Sequence, residues 1–174
     1  VGVVNADISL NMPDFRAGER TFQLLMQVSG RAGRGDRPGR VIIQTYNPEH
    51  PAVRCAARHD FDGFLRYEME DRRAFGYPPF GRLARVLVEG KNRQAVVTRI
   101  HETAKAIREA LPESGAELLG PVEAPIPRIK GRYRWHCIVK APRVSMIRRA
   151  LQPVERKKRK GTQIAIDVDP VALL

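Results

Sequence analysis

Six residues, Gly76-Tyr77-Pro78-Pro79-Phe80-Gly81, constrain the fold more than any other run in this chain. The two prolines fix φ and lack a backbone donor, and the flanking glycines loosen the backbone. Neither a helix nor a strand continues through such a segment. It divides the 174 residues into two stretches with different element orders, and a module boundary is placed there.

Upstream, Val1-Gly2-Val3-Val4 is β-branched and reads as a buried strand with no lead-in. An opening strand of this kind wants neighbours on both edges, so the chain reads as a piece of something longer. Pro13 and Asp14 break the backbone before a helix over residues 17–29, with Glu19 in its first turn and Phe22, Leu25 and Met26 as an apolar stripe. Gly30, Gly33, Gly35 and Gly39 then end the helix and form a loop, and Val41-Ile42-Ile43-Gln44-Thr45 follows as a second buried strand. Strand, helix and strand with short connections make a βαβ unit on a parallel sheet. Two helices follow, the second over residues 61–74. The expected divisions are 1–50, a helical linker over 51–80, and 81–174.

Downstream, residues 83–89 alternate as a strand, 93–111 form an amphipathic helix, and 117–122 form a short strand. A Pro-rich link carrying Pro121, Pro125 and Pro127 leads to a longer strand over 132–140. A helix over 143–151 and a strand over 163–169 complete the order βαββαβ. That is the split βαβ, or ferredoxin-like, arrangement, an α+β domain following an α/β one.

Composition narrows the function classes. With 43% hydrophobic and 29% charged residues the chain has globular proportions. No apolar stretch approaches the roughly 18 residues of a membrane span, and no secretory leader opens the chain. Cys55 and Cys137 lie far apart without a C-x-x-C partner and the four histidines are equally scattered, which excludes a disulfide framework and a four-ligand zinc site, argues against a metal enzyme and suits a reducing cytoplasm. The net charge is +12, and its position matters more than its size. Residues 128–160 hold thirteen Lys or Arg against one acid, Glu155, while the rest of the chain is balanced at eighteen of each. Such a field attracts polyanions, nucleic acid first, then an anionic membrane or an acidic peptide. The alternative is a solvated basic face that aids solubility.

The sharpest local signal is Gln27-Val28-Ser29-Gly30-Arg31-Ala32-Gly33-Arg34. Gln27, Arg31 and Arg34 are spaced i, i+4, i+7, so they share a face as the helix gives way to glycines. Guanidiniums there can grip phosphate oxygens and stabilise charge on a transferred phosphoryl group. The same arginines would also complement the macrodipole of a helix capped by glycine.

Q-x-x-G-R-x-G-R resembles the last motif of superfamily 2 helicases. Val1-Gly2-Val3-Val4-Asn5-Ala6-Asp7, the run from Pro13 to Leu25, Gln44-Thr45-Tyr46-Asn47-Pro48-Glu49-His50-Pro51, Gly76-Tyr77-Pro78-Pro79-Phe80, Gly131-Arg132-Tyr133-Arg134-Trp135 and Asp167-Val168-Asp169-Pro170 narrow the match. Together they resemble the PriA family, the bacterial replication-restart helicases also called primosomal protein N′. The resemblance implies the C-terminal part of an ATP-dependent 3′-to-5′ DNA helicase that assembles the primosome at stalled forks in the cytoplasm. Residues 1–50 would belong to its second RecA-like lobe, and the region after Gly81 to a domain resembling a small ribosomal protein. Asp7 would lie in the motif coupling nucleotide state to DNA contact, Gln27, Arg31 and Arg34 would face the γ-phosphate of ATP with Gly30 at the same site, and the Mg²⁺ ligands would lie mostly in the missing first lobe. Arg34 is the expected transition-state finger, with Arg31 next.

Departures from the pattern limit what this chain can do. It has no G-x-x-x-x-G-K-[ST] phosphate loop, no Asp-Glu magnesium motif and none of the zinc-binding cysteines of the full-length family, all of which would lie upstream of Val1. Half an ATPase site of this kind should not hydrolyse ATP alone.

In the basic segment, Arg128, Lys130, Arg132 and Arg134 would share one face if extended, with Tyr133 and Trp135 opposite. A row of cations suits a phosphate backbone, and an exposed ring could stack a base. Core packing is the alternative for both rings. Arg143, Arg148 and Arg149 could meet DNA or an acidic tail. Single-stranded and forked DNA, single-stranded DNA-binding protein and other primosome proteins are the expected partners of a monomer that avoids membranes. A non-catalytic nucleic-acid- or partner-binding module remains the alternative, as does an RNA-binding protein of ribosomal type, which leaves residues 1–50 unexplained.

Overall fold

The computed structural model describes residues 1–32, 40–112, 114–154, 159 and 161–173. They form two compact units, Val1–Asp71 and Arg72–Leu174.

In the first unit, β1 (Gly2–Val3) and β2 (Ile42–Ile43) pair in parallel through Gly2↔Ile42 and Val3↔Ile43. Between them run α1 (Asp7–Leu10) and α2 (Ala17–Ala32), so the expected strand–helix–strand unit is present. The strands are not buried as expected. Val1, Val4 and Ile42 are 64%, 77% and 62% exposed, and Val3 and Ile43 turn toward the apolar cluster. A two-stranded sheet packed on one face leaves alternate side chains in solvent.

The buried stripe of α2 is Ala17, Thr21, Phe22 and Leu25, which is helical spacing. It packs against α3 (Pro51–Ala57), which buries Ala52, Val53, Cys55 and Ala56, and against Phe64 of α4 (Phe61–Phe75). Phe22 and Phe64 stack with centroids 4.1 Å apart and planes 9° from parallel. The small alanines of α3 admit close helix approach. The division between units falls within α4.

Gly30 does not end α2. Gly30, Arg31 and Ala32 are helical, and a methyl on Gly30 would meet nothing within 4 Å. A helical glycine costs only about 1 kcal/mol relative to alanine, which the packed turns before it outweigh.

The second unit is built on β3 (Arg82–Gly90), α5 (Arg93–Ala110), β4 (Glu117–Ile129), β5 (Arg132–Ala141), α6 (Val144–Leu151) and β6 (Thr162–Val168). This is the βαββαβ order read from periodicity. The sheet runs β4-β5-β3-β6 with every pair antiparallel. Ala84, Val86 and Val88 of β3 lie opposite Val139, Cys137 and Trp135 of β5, so one face is continuous. Against it α5 places Val96, Ile100 and Ile107, and α6 places Ile147, Ala150 and Leu151.

Two expectations change here. Pro121, Pro125 and Pro127 do not form a link but lie within a thirteen-residue β4, which shifts register between Leu119 and Val122 and between Glu123 and Arg128. Because β4 is an edge strand, the missing proline donors disturb only a local irregularity. At the other edge β6 stops at Val168. Asp169, at φ 51°, donates its N–H to Leu83 O at 2.8 Å, and its Oδ2 pairs with Arg82 at 3.0 Å.

Candidate functional site

In the first unit, Gln27 and Arg31 lie one helical turn apart on the exposed face of α2, opposite Phe22 and Leu25, and Gly30 beside them is exposed. Arg31 is exposed there, and among the described residues it makes no ion pair. Arg34 and Gly33 lie outside the described residues.

Asp7 is buried at the carboxyl end of β1, and its carboxylate is fully engaged. Oδ1 accepts from Thr45 Oγ1 and Asn47 Nδ2, each at 2.9 Å, and Oδ2 accepts the Tyr46 backbone N–H at 2.9 Å. These donors, the Tyr46 N–H foremost, hold its carboxyl below the ordinary aspartate value although burial opposes them. Asp7 thus ties the chain leaving β1 to the chain leaving β2, at the sheet end where open α/β folds bind ligands.

Sequence reasoning assigned no task to His50, which caps α3. Its Nδ1 accepts the Ala52 N–H at 3.1 Å, ahead of Pro51 at the first helical position. The available signal was that proline, because histidine is not a usual cap. Burial lowers the His50 pKa and the Asp71 carboxylate pulls it the other way. A depressed folded-state pKa means that the unfolded chain takes the proton first. The contribution of this cap is therefore complete above the ordinary value of 6.5 and is lost as pH falls below it. His50→Ala should cost about 1 kcal/mol at neutral pH, as a lost cap does. His50→Asn should keep the cap and flatten the unfolding midpoint between pH 7 and 5. Thermal melts across that range check both.

In the second unit the expected single row of cations is a hairpin. Lys130 at φ 48° and Gly131 at φ 77° form a two-residue turn, with Ile129 opposite Arg132 and Arg128 opposite Tyr133. Directly opposed residues share a face, so the alternation expected of one extended run flips across the turn. Arg128 lies with Tyr133, its Cζ 5.0 Å from the ring centroid, and not with Arg132 and Arg134. Arg132 Nε pairs with Glu89 Oε1 at 3.0 Å. Arg134 is 8% exposed and donates from Nη1 to Ile126 O at 3.2 Å, within the irregular stretch of β4. Arg128, Lys130 and Arg143 remain exposed, the last immediately before α6, which adds exposed Arg148 and Arg149. Tyr133 and Trp135 are half-buried against the core, and Arg93 lies 5.9 Å from the Trp135 ring centroid. Cys137 is sealed beneath the sheet, where burial pushes its thiol up to about 12.

The model of the primosomal protein N C-terminal domain family matches residues 73–171. The chain belongs to that family. The PriA resemblance drawn from the motifs is to the same family. Similarity to curated relatives also crosses the first unit. The replication restart protein PriA of Synechocystis sp. is 44% identical over 99% of this chain and 21% of its own length. Those of Bacillus subtilis and Treponema pallidum are 42% and 40% identical over 100% of this chain and 22% and 27% of theirs. The chain therefore spans about a fifth to a quarter of these relatives. Among the described residues no helix is long and apolar enough to cross a membrane.

Proposed function

We propose that this chain is the C-terminal part of an ATP-dependent 3′-to-5′ DNA helicase that restarts bacterial replication at stalled forks. The observation that carries this is near end-to-end similarity, at 40–44% identity, to three proteins named replication restart protein PriA.

In this reading the first unit is part of a RecA-like second lobe. Its β1–α2–β2 crossover sets Gln27 and Arg31 on one exposed face, with Arg34 three residues further along. An amide and an exposed guanidinium one turn apart fit the oxygens of a triphosphate. ATP with Mg²⁺ supplies the free energy of translocation. Its phosphate loop and magnesium ligands belong to another part of the full-length protein. This chain's arginines then orient and neutralise the γ-phosphate as the two lobes close. Asp7, tied to Thr45, Tyr46 and Asn47, fixes the loops at the sheet's carboxyl end. Among the described residues no group of three or more His, Cys, Asp or Glu side chains gathers where a zinc ion could be held.

The second unit binds DNA through backbone charge, with Arg128, Lys130, Arg143, Arg148 and Arg149 as contacts and Arg132 and Arg134 holding the hairpin that presents two of them. Single-stranded DNA-binding protein and other primosome proteins are the proposed partners, in the cytoplasm. The full-length protein tests this directly. It should hydrolyse ATP in response to forked or single-stranded DNA and unwind a fork. ATP turnover indifferent to DNA would overturn the helicase assignment and leave a binding module.

A further inference from the structure

We propose that the cavity walled by the Gly76–Gly81 segment of the second unit takes one unstacked base of single-stranded nucleic acid, stacked against Phe80 and hydrogen-bonded by Glu117 and Lys140. The proposal rests on the reading above that this unit binds DNA.

The run Gly76-Tyr77-Pro78-Pro79-Phe80-Gly81 is a pinned wall and not a slack joint. Tyr77 donates its N–H to Arg72 O at 2.8 Å, and its carbonyl accepts from the Phe80 and Gly81 N–H groups at 2.9 and 3.2 Å. Arg72 Nη1 donates to Pro78 O at 3.3 Å. Lys140 of β5 donates to Phe75 O at 2.9 Å, with its Nζ 5.3 Å from the Tyr77 ring centroid. A methyl on Gly81 would lie 2.1 Å from Gly76 O, so only glycine lets the two ends of the run approach this closely.

This wall, the start of β4 and the end of β5 enclose a cavity of about 330 Å³, whose lining includes Phe80, Ala116, Glu117, Lys140, Ala141 and Pro142. Glu117 and Lys140 lie directly opposite one another on the β4–β5 ladder and form an ion pair. An ammonium has three protons, and Lys140 gives one to Phe75 O and one to Glu117 Oε1, so one remains. Glu117 Oε2 accepts nothing among the described residues, so a donor and an acceptor stand side by side in the lining.

That pair decides the occupant. A carboxylate in the wall repels a phosphate, and the ammonium beside it is already neutralised, so the cavity does not suit an anion. It suits a flat neutral group with a hydrogen-bond donor and an acceptor on one edge, which every base presents. The volume is at the low end for ligand sites, room for one base and not for a helix or strand of a partner protein. Arg73 Cζ lies 4.5 Å from the Phe80 ring centroid, and rings and guanidinium planes are the surfaces on which splayed bases stack. The phosphates stay outside, where exposed Arg143 follows Pro142 of the lining.

The test uses this 174-residue chain with three single strands of equal length: one intact, one with tetrahydrofuran abasic sites throughout, and one carrying 5-iododeoxyuridine. Anisotropy reads affinity, and mass spectrometry locates the photo-cross-link. The intact strand should bind about fivefold or more tightly than the abasic strand, the low end of one stacking interaction. The cross-link should fall on the peptide bearing Phe80. Phe80→Leu, which keeps the wall apolar, should lower intact-strand affinity to the abasic level, whereas Phe80→Tyr, which keeps the ring, should retain the preference. Equal affinity for intact and abasic strands, a preference unmoved by Phe80→Leu, or a cross-link confined to other residues would overturn the base site and leave the DNA reading standing. No binding of any strand at low salt would overturn both.

Discussion

In the full-length protein, Arg34→Ala should lower the DNA-stimulated rate of ATP hydrolysis by about a thousandfold, the lower end of what an arginine finger contributes to phosphoryl transfer. Charge on the equatorial oxygens of the γ-phosphoryl group grows as the bond to the leaving group breaks. A guanidinium delivered from the opposite lobe meets that charge in the transition state more fully than in the ground state, so the loss should fall on kcat with little change in KM. Lysine should not restore the rate, because a point charge lacks the planar pair of donors. Arg31→Ala should behave similarly but with a rise in KM, since Arg31 lies on the exposed face of α2 beside Gln27 and can engage the ground-state phosphate. Steady-state ATPase assays with saturating DNA separate the cases. An Arg34→Ala protein within threefold of the parent rate would remove Arg34 from the reaction.

The second large effect is on stability. Ile100→Ala should destabilise the second unit by about 2–5 kcal/mol, the cost of truncating a fully buried isoleucine and leaving a cavity. Ile100 has no solvent exposure and shares one cluster with Val86 and Val88 of β3, Cys137 and Val139 of β5, and Ile147 of α6. It is the point at which α5, α6 and the two central strands meet, so the surroundings cannot collapse without moving the sheet. For a unit of this size each 1 kcal/mol lowers the midpoint by about 4–8 °C, so a drop on the order of 10 °C or more is expected. Lys105→Ala, whose side chain is 80% exposed on the same helix, should stay within about 0.5 kcal/mol. Differential scanning calorimetry of both variants decides. Equal midpoints would mean that α5 is not part of the cooperative core.

Much of the architecture was legible because one-sided burial writes a period into the sequence. Val96, Ile100 and Ile107 mark the buried face of α5, and Ala84, Val86 and Val88 alternate on β3, so the element order of the second unit followed. What escaped was what periodicity does not encode. Two-residue strands that leave Ile42 and the flanking Val1 exposed have the same composition as buried ones. Prolines read as a link are accommodated on an edge strand because no neighbour needs their donors. Lys130-Gly131 carries the hairpin signal only once glycine is read as a second positive-φ position, and missing it put Arg128 on the wrong face. Arg132 and Arg134 looked like free cations because ion pairs across strands, such as that with Glu89, depend on register. On α2 the spacing of Gln27 and Arg31 was readable and the helix places both on one face, whereas Arg34 lies outside the described residues. The fixation of Asp7 by Thr45, Tyr46 and Asn47 joins residues nearly forty positions apart, which no local pattern reveals.

The claim that the second unit holds DNA by backbone charge is tested most directly by anisotropy of this chain on single-stranded DNA across a salt series. Five exposed cations, Arg128, Lys130, Arg143, Arg148 and Arg149, predict a log–log slope of about −3.5 and roughly a hundredfold loss of affinity between 50 and 200 mM salt. Arg128→Ala with Arg143→Ala should make that slope shallower by about 1.4. Binding insensitive to salt, or a slope unmoved by the paired substitution, would contradict the account and place the DNA contacts elsewhere in the full-length protein.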